Sequence, residues 1–563
     1  MSQLALESQP QTRLQAERLQ SRVPETGSAG GRWYGLSGSL VLEGGWRLCR
    51  KDAVAGASAL LLVVMAAVVG GLLYLAGRPV QASAAPFYAH WLPHVGPGTP
   101  LAVAVAALVI WKGPLFAARM SWRSLLPAGY LAAVTWTLGL ALVDGWKTGL
   151  ATRLTTTPEY LHEVPGVTDV ALAIRTFAGR ILDFQPDSWT THVAGHPPGA
   201  LLIFVWLDRI GLGGGGWAAL VCVLVGALAA IAVPETLRLM GDADAGRVAV
   251  PFAVLFPGAI WIGASADGLF AGVAAVGIML LAKGQRRWAV VGGGLLAFAV
   301  YLSYGLVLLA PIVLVVLVQR RAWWSMGVAA LSGAVVVAAF TASGFWWLDG
   351  YHLVVERYYQ GLASVRPYGY WVWANLAALV GSGGPALAAV LRRGVPEIVT
   401  RWRAVRHVVV QRGLRLAVPG RAPRTAAARR VKIRQAWLQR SQLGGAQMQQ
   451  AQVRRGGPKQ TATIPLSQRP GPQPASATLS KARSARTRHP PVATWLLPLA
   501  AASAILLADI SGLSKAETER IWLPFAVWFT AGAALLPAQG RRSWLAIQAA
   551  TALIINHLLL TSW

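Results

Sequence analysis

Apolar residues run along this chain in long unbroken blocks, not in strict alternation. The blocks fall at about 53–76, 99–117, 124–143, 198–212, 217–236, 248–264, 266–283, 288–305, 306–318, 324–343, 371–391, 493–509, 520–537 and 544–560. Most approach the roughly 17–25 residues that a helix needs to cross a bilayer. In lipid a backbone satisfies its own polar groups only as a helix or a closed barrel. A barrel would show short segments of alternating polarity instead. The pattern predicts an all-α polytopic transmembrane helical bundle of about 13 spans.

Polar stretches divide the chain. A cytoplasmic tail is expected over residues 1–52, without the apolar core of a signal peptide. A main transmembrane module follows over 53–391, with outside loops at 144–197 and 344–370. A basic low-complexity insert covers 392–490, and a C-terminal transmembrane module covers 491–563.

Composition supports the membrane reading. The chain is 55% hydrophobic and only 13% charged. Its net charge of +29 raises the question of nucleic acid, but the distribution answers it. Between Arg392 and Pro490 lie 22 of the 51 Lys and Arg residues, against the single acid Glu397. A basic segment near a bilayer is drawn to anionic lipid or sets topology, so a membrane partner is expected and nucleic acid is not. Two cysteines, Cys49 and Cys222, make neither a disulfide framework nor a Cys-type metal site.

Positive charge also orients the spans. "RLCRK", "KGQRR", "QRRAWW", the insert and "GRR" at 540–542 are expected in the cytoplasm. Asp144–His196, Trp346–Tyr370 and Ser511–Glu519 then lie outside, and together with Asp267 and Asp509 they hold more than half of the 22 acids. Three apolar segments between His196 and Asp267 break the parity, since two outside points need an even number. The short segment Pro198–Leu212 is the candidate for a re-entrant helix.

Several stretches could carry chemistry. Asp144 ends an apolar run and is followed by Gly145. It reads either as a helix end where a carboxylate meets water or as a costly, functional acid at the membrane edge. "HVAGHPPG" places His196 before Pro197 and Pro198, which suit a first helical turn. Helix starts favour anions. His192 and His196 are four apart, but Gly195 and the prolines argue against one helix across them. "WWLDGYHLVVERYYQGLASVRPYGYWVW" is an aromatic belt or, through Arg357 and Arg366, a phosphate grip. "ADISGLSKAETERIWLPF" sets Lys515, Glu517, Glu519 and Arg520 before an apolar run. It is a charged hairpin loop or part of the same pocket. Asp267 in "IGASADGLFAG" has no basic neighbour in sequence, so it needs a cavity or a distant partner.

The order of these features resembles the GT-C superfamily of integral-membrane glycosyltransferases. The likeness is greatest to protein mannosyltransferases and to actinobacterial transferases that use polyprenyl-phosphate sugars. Asp144 matches the family's Asp at a loop after an early span. His196, Pro197 and Pro198 match its "HPPL"-like helix start. "SADGLF" around Asp267 is similar to its later Ser-x-x-Asp, and "ETERIW" to a charged stretch before a late span. Gly145 stands where the family often has Glu, and the insert has no counterpart.

The resemblance implies an enzyme of the cell envelope, multi-pass in the cell membrane, with its site on the extracytoplasmic face. It would move a sugar from a polyprenyl-phosphate donor to a hydroxyl of a lipid, glycan or protein acceptor, with inversion. Asp144, His196 and Asp267 are the implied catalytic residues. Glu159, His192, Arg357, Tyr358, Arg366, Lys515, Glu517 and Arg520 are the implied substrate-binding residues. No cofactor is implied, and nothing in the sequence supports a divalent metal. Two other classes remain open: a transporter or flippase of lipid-linked sugars, and a non-catalytic membrane scaffold.

Overall fold

The computed structural model describes residues 45–263, 265–321, 323–400 and 491–561. The chain divides into two units, Gly35–Ile398 with Pro490–Trp563, and Met1–Tyr34 with Val399–His489. Most of the N-terminal tail, and the insert beyond Thr400, lie outside the described residues.

The first unit is almost wholly helical. Its principal helices are α1 (Arg50–Leu75), α2 (Thr99–Arg119), α3 (Trp122–Ala141), α4 (Pro198–Arg209), α5 (Gly215–Gly226), α6 (Ala229–Leu239) and α7 (Ala243–Val254). They continue with α8 (Ala266–Ala282), α9 (Arg286–Val300), α10 (Ala310–Arg320), α11 (Trp323–Ala342), α12 (Trp347–Gln360) and α13 (Tyr368–Gly383). Last come α14 (Ala386–Thr400), α15 (Val492–Ile510) and α16 (Arg541–Leu558). Among the described residues six helices are long and apolar enough to cross a membrane, or seven if the bent pair α13–α14 is one span. This is a helical membrane protein.

The expected apolar blocks are mostly helices, but several are broken. Residues 371–391 were expected as one span. Instead α13 and α14 meet at 106°, because Gly384 adopts φ +83°, a left-handed conformation that ends α13. The block 248–264 splits after Val254, where Pro257 and Gly258 interrupt it before the turn Ala259–Ile262. The block 520–537 is a succession of the short turns Thr518–Ile521 and Leu523–Ala526 and a tighter helix over Val527–Leu535. The Pro198–Leu212 block folds as α4, about 18 Å long at 1.5 Å per residue, too short to span.

Small residues let the helices approach closely. A Cβ on Gly226 would lie 2.9 Å from Gly268 O, and one on Gly272 would collide with the Val225 carbonyl, so α5 and α8 pack backbone to backbone. Polar caps fix several starts: Ser121 Oγ accepts from Ser124 N–H, and Asp242 Oδ1 accepts from Ala245 N–H at 3.0 Å. The stretch 144–197 is not an open loop. It is built of short turns whose side chains Leu154, Tyr160, Ile181 and Trp189 are buried. A two-stranded antiparallel sheet, which sequence did not predict, pairs β1 (Ala89–Trp91) with β2 (Leu559–Thr561).

Candidate functional site

Helix α8 begins at Ala266, so Asp267 stands in its first turn and is buried at 3% exposure. A carboxylate so placed needs a partner. It finds one in Arg520, whose Nη1 lies 2.6 Å from Asp267 Oδ2. Arg520 Nη2 also donates to Glu517 Oε2 at 2.7 Å and to His192 Nε2 at 3.0 Å. His192 Nδ1 lies 2.9 Å from Glu159 Oε1. Because Nε2 accepts from the guanidinium, the ring proton sits on Nδ1, facing Glu159.

Glu517 joins a second arginine. Its Oε1 accepts from Arg366 Nη1 at 3.2 Å and Nη2 at 3.1 Å. Arg366 Nη1 further donates to Lys515 O at 2.7 Å. Lys515 N–H donates to Tyr358 Oη at 2.8 Å, and Lys515 Nζ to Ala363 O at 2.9 Å. Ala516 and Glu517 have φ of +70° and +62°. Left-handed backbone is uncommon for residues with a Cβ and persists only where surroundings over-determine it. Here Asn375 does so: its Nδ2 donates to Asp509 Oδ1 at 2.8 Å and to Ser514 O at 2.6 Å, and its Oδ1 accepts from Ala516 N–H at 3.3 Å.

Glu519 is fully buried. Its Oε1 accepts from Tyr88 N–H at 2.8 Å, while Oε2 has no partner among the described residues. Burial pushes its carboxyl up to about 7. Glu517 behaves oppositely: burial works to raise it, but Arg520 and Arg366 outweigh that and hold it below the usual range. For Arg520, burial disfavours the charge, and Asp267, Glu517 and Glu159 more than restore it. Burial also pushes the Tyr358 phenol up to about 12.

His196 lies beside this network. Its Nδ1 is 2.8 Å from His192 O and 2.9 Å from Tyr160 Oη, and its ring is 5.5 Å from that of Phe270 on α8. A carbonyl only accepts, so Nδ1 carries the proton. Nε2 then presents a lone pair with no partner among the described residues. Burial lowers the His196 pKa, so the ring is neutral at neutral pH. Asp267 Oδ1 likewise has no partner among the described residues.

Asp144 occupies a separate cluster. Its Oδ1 is 2.6 Å from His94 Nε2, and its Oδ2 accepts from Arg153 Nη2 at 2.8 Å. Arg153 also donates to the Thr561 carbonyl. The loop carrying His94 is pressed onto this turn, with Gly98 N–H donating to Leu142 O at 3.0 Å. The two clusters adjoin through backbone: a Cβ on Gly263, four residues before Asp267, would lie 3.4 Å from that of Ala141, three before Asp144. Arg357 stays out of the network as well. It pairs with Asp183 Oδ1 at 2.6 Å and donates to Trp189 O at 3.4 Å.

Of the expected site residues, the structure thus joins Asp267, Glu159, His192, Tyr358, Arg366, Lys515, Glu517 and Arg520, with His196 adjacent. It sets Asp144 and Arg357 on other partners. Sequence reasoning missed Asn375, Tyr88, Tyr160, His94 and Arg153. Only Asn375 left a signal, as an amide inside the apolar run "WVWANLAALV". Among the described residues no group of three or more His, Cys, Asp or Glu side chains could hold a metal ion. No protein-family model, curated protein or solved structure matches the chain.

Proposed function

We propose that this protein is a GT-C-like membrane glycosyltransferase, moving a sugar from a polyprenyl-phosphate donor to an extracytoplasmic hydroxyl with inversion. The observation that carries the reading is the buried network in which Arg366 and Arg520 share the carboxylate of Glu517. Two guanidinium groups converging on one anion offer a phosphate-shaped set of donors. A donor phosphate would take over the hydrogen bonds now made to Glu517. The arginines would then stabilise the negative charge that grows on the leaving phosphate.

Proton removal from the acceptor falls to His196 in this reading. Its Nδ1 is held by a backbone carbonyl, which orients the ring and leaves Nε2 as acceptor. Asp267 holds Arg520 through one oxygen and offers the other to the acceptor. Asp144, one of the catalytic residues the family likeness implies, has both oxygens engaged, which favours a positioning role for the turn it ends. The bundle would be multi-pass with the network on the outer face and the insert in the cytoplasm, the remaining spans being supplied by the shorter apolar helices.

One observation favours the transporter reading. The sharp break between α13 and α14 is the kind of discontinuous helix that lines transport sites. Membranes containing the full chain, given a radiolabelled polyprenyl-phosphate sugar and a mixed acceptor extract, separate the two. Transfer to a new product that is lost in Arg366→Lys and Arg520→Lys supports the enzyme. Movement of intact donor between leaflets with no transfer overturns it.

A further inference from the structure

At the opposite end of α8 from Asp267, two interhelical turns lie side by side. Residues 283–288 link α8 to α9, and residues 320–325 link α10 to α11. Ser325 Oγ donates to Gly284 O at 3.2 Å, and Arg320 donates to Lys283 O at 3.5 Å and to Leu239 O at 2.8 Å. The two turns and the end of α6 are therefore one surface.

That surface carries Lys283, Arg286, Arg287, Arg320 and Arg321. None has a carboxylate within ion-pair range among the described residues, which sets it apart from the carboxylate-paired arginines of the buried network. Rings hold three of its cations instead. Lys283 Nζ sits 3.8 Å from the Trp288 ring centroid, Arg287 5.3 Å from the same ring, and Arg286 5.9 Å from that of Trp324. Trp323 and Trp324 are exposed at 58% and 79%. Exposed tryptophans at the end of apolar helices belong at the headgroup level of a bilayer. Unpaired cations at that level complement anionic headgroups. Topology control alone requires the charges but not the tryptophans that orient them, nor the bonds that hold the two turns together.

We propose that these turns form a headgroup site for an anionic phospholipid. The lipid phosphate sits among Arg286, Arg287 and Arg321, and its glycerol region lies along Trp323 and Trp324. The site is independent of the catalytic reading.

The test is native mass spectrometry of the full chain in detergent, titrated with phosphatidylglycerol or phosphatidylcholine of matched acyl chains. The wild type is expected to bind its first phosphatidylglycerol more tightly than phosphatidylcholine. Arg286→Gln/Arg287→Gln/Arg321→Gln should weaken that first step on the order of a hundredfold, given the contribution of each of three cations near a lipid surface. The Lys versions of the three should keep it. Arg401→Gln/Arg403→Gln/Arg406→Gln, which removes equal charge from the insert, should leave it unchanged, and inorganic phosphate should not compete. Should the triple Gln variant fail to fold, Arg286→Gln alone, which breaks no hydrogen bond among the described residues, should weaken the step about fivefold. Equal binding of the two lipids, wild-type affinity in the Gln variants, loss on insert neutralisation or competition by free phosphate would each overturn the proposal.

Discussion

Arg520 Nη1 and Asp267 Oδ2 stand 2.6 Å apart although 253 positions separate them in the chain. Both side chains are almost fully buried, so each charge depends on the other. Removing one partner of such a pair costs about 3–5 kcal/mol, because the survivor is left buried and unbalanced. Arg520→Met should therefore lower the unfolding midpoint in detergent sharply, and Asp267→Asn/Arg520→Met should recover part of the loss. The measurement is thermal unfolding followed by tryptophan fluorescence. An Arg520→Met protein with a wild-type midpoint would show that the pair does not hold α8 to the late loop.

Glu519 gives a pH signature of stability. Its carboxyl is raised from 4.5 to about 7 in the folded chain, with burial the leading cause. A raised acid binds a proton more tightly folded than unfolded. Its contribution is full below about 4.5 and is lost as pH rises through about 7. The span corresponds to roughly 3 kcal/mol. Glu519→Gln keeps an oxygen for Tyr88 N–H and removes the titration. Its midpoint should match the wild type near pH 5 and exceed it near pH 8. A constant difference at both pH values would be evidence against a strongly raised Glu519.

Sequence periodicity located most of the helices because burial in lipid demands long apolar runs and nothing else supplies them. It did not locate the breaks. Gly384 and Pro257–Gly258 interrupt helices through backbone conformation, which hydropathy does not register. The charge network was legible as a set of residues and illegible as a geometry. Asp267, Glu517 and Arg520 each stood out as ions next to apolar runs. Their pairing depends on α8, the late loop and the 144–197 turns meeting in space. Asp144 stood out for the same reason, yet its partners His94 and Arg153 carry no local mark.

His196 predicts the pH profile of transfer under the proposed function. As the proton acceptor it must be neutral, and burial sets its pKa below the ordinary 6.5. Activity should rise with pH through that lowered value and then level off. His196→Gln should reduce kcat/KM by about 10²–10⁴-fold and abolish the acidic limb. The comparison is initial transfer rate in membranes between pH 5 and 8. A variant that loses rate but keeps the acidic limb would move the base elsewhere and leave His196 a positioning residue.

Asp144 is the residue on which sequence likeness and geometry part. One of its oxygens faces His94 and the other Arg153, and Arg153 in turn holds the Thr561 carbonyl of β2. Asp144→Asn keeps an oxygen for one of these contacts and removes the charge that both share. If the residue positions its turn, the expected result is a lower unfolding midpoint and a loss of transfer of about tenfold or less. A base removed from an intact fold behaves differently, with a loss above about 10²-fold at an unchanged midpoint. Arg153→Leu separates the cases further, since it frees one Asp144 oxygen without touching the acid itself. Under the positioning role Arg153→Leu and Asp144→Asn lower stability and transfer together, and the double substitution is no worse than the poorer single one.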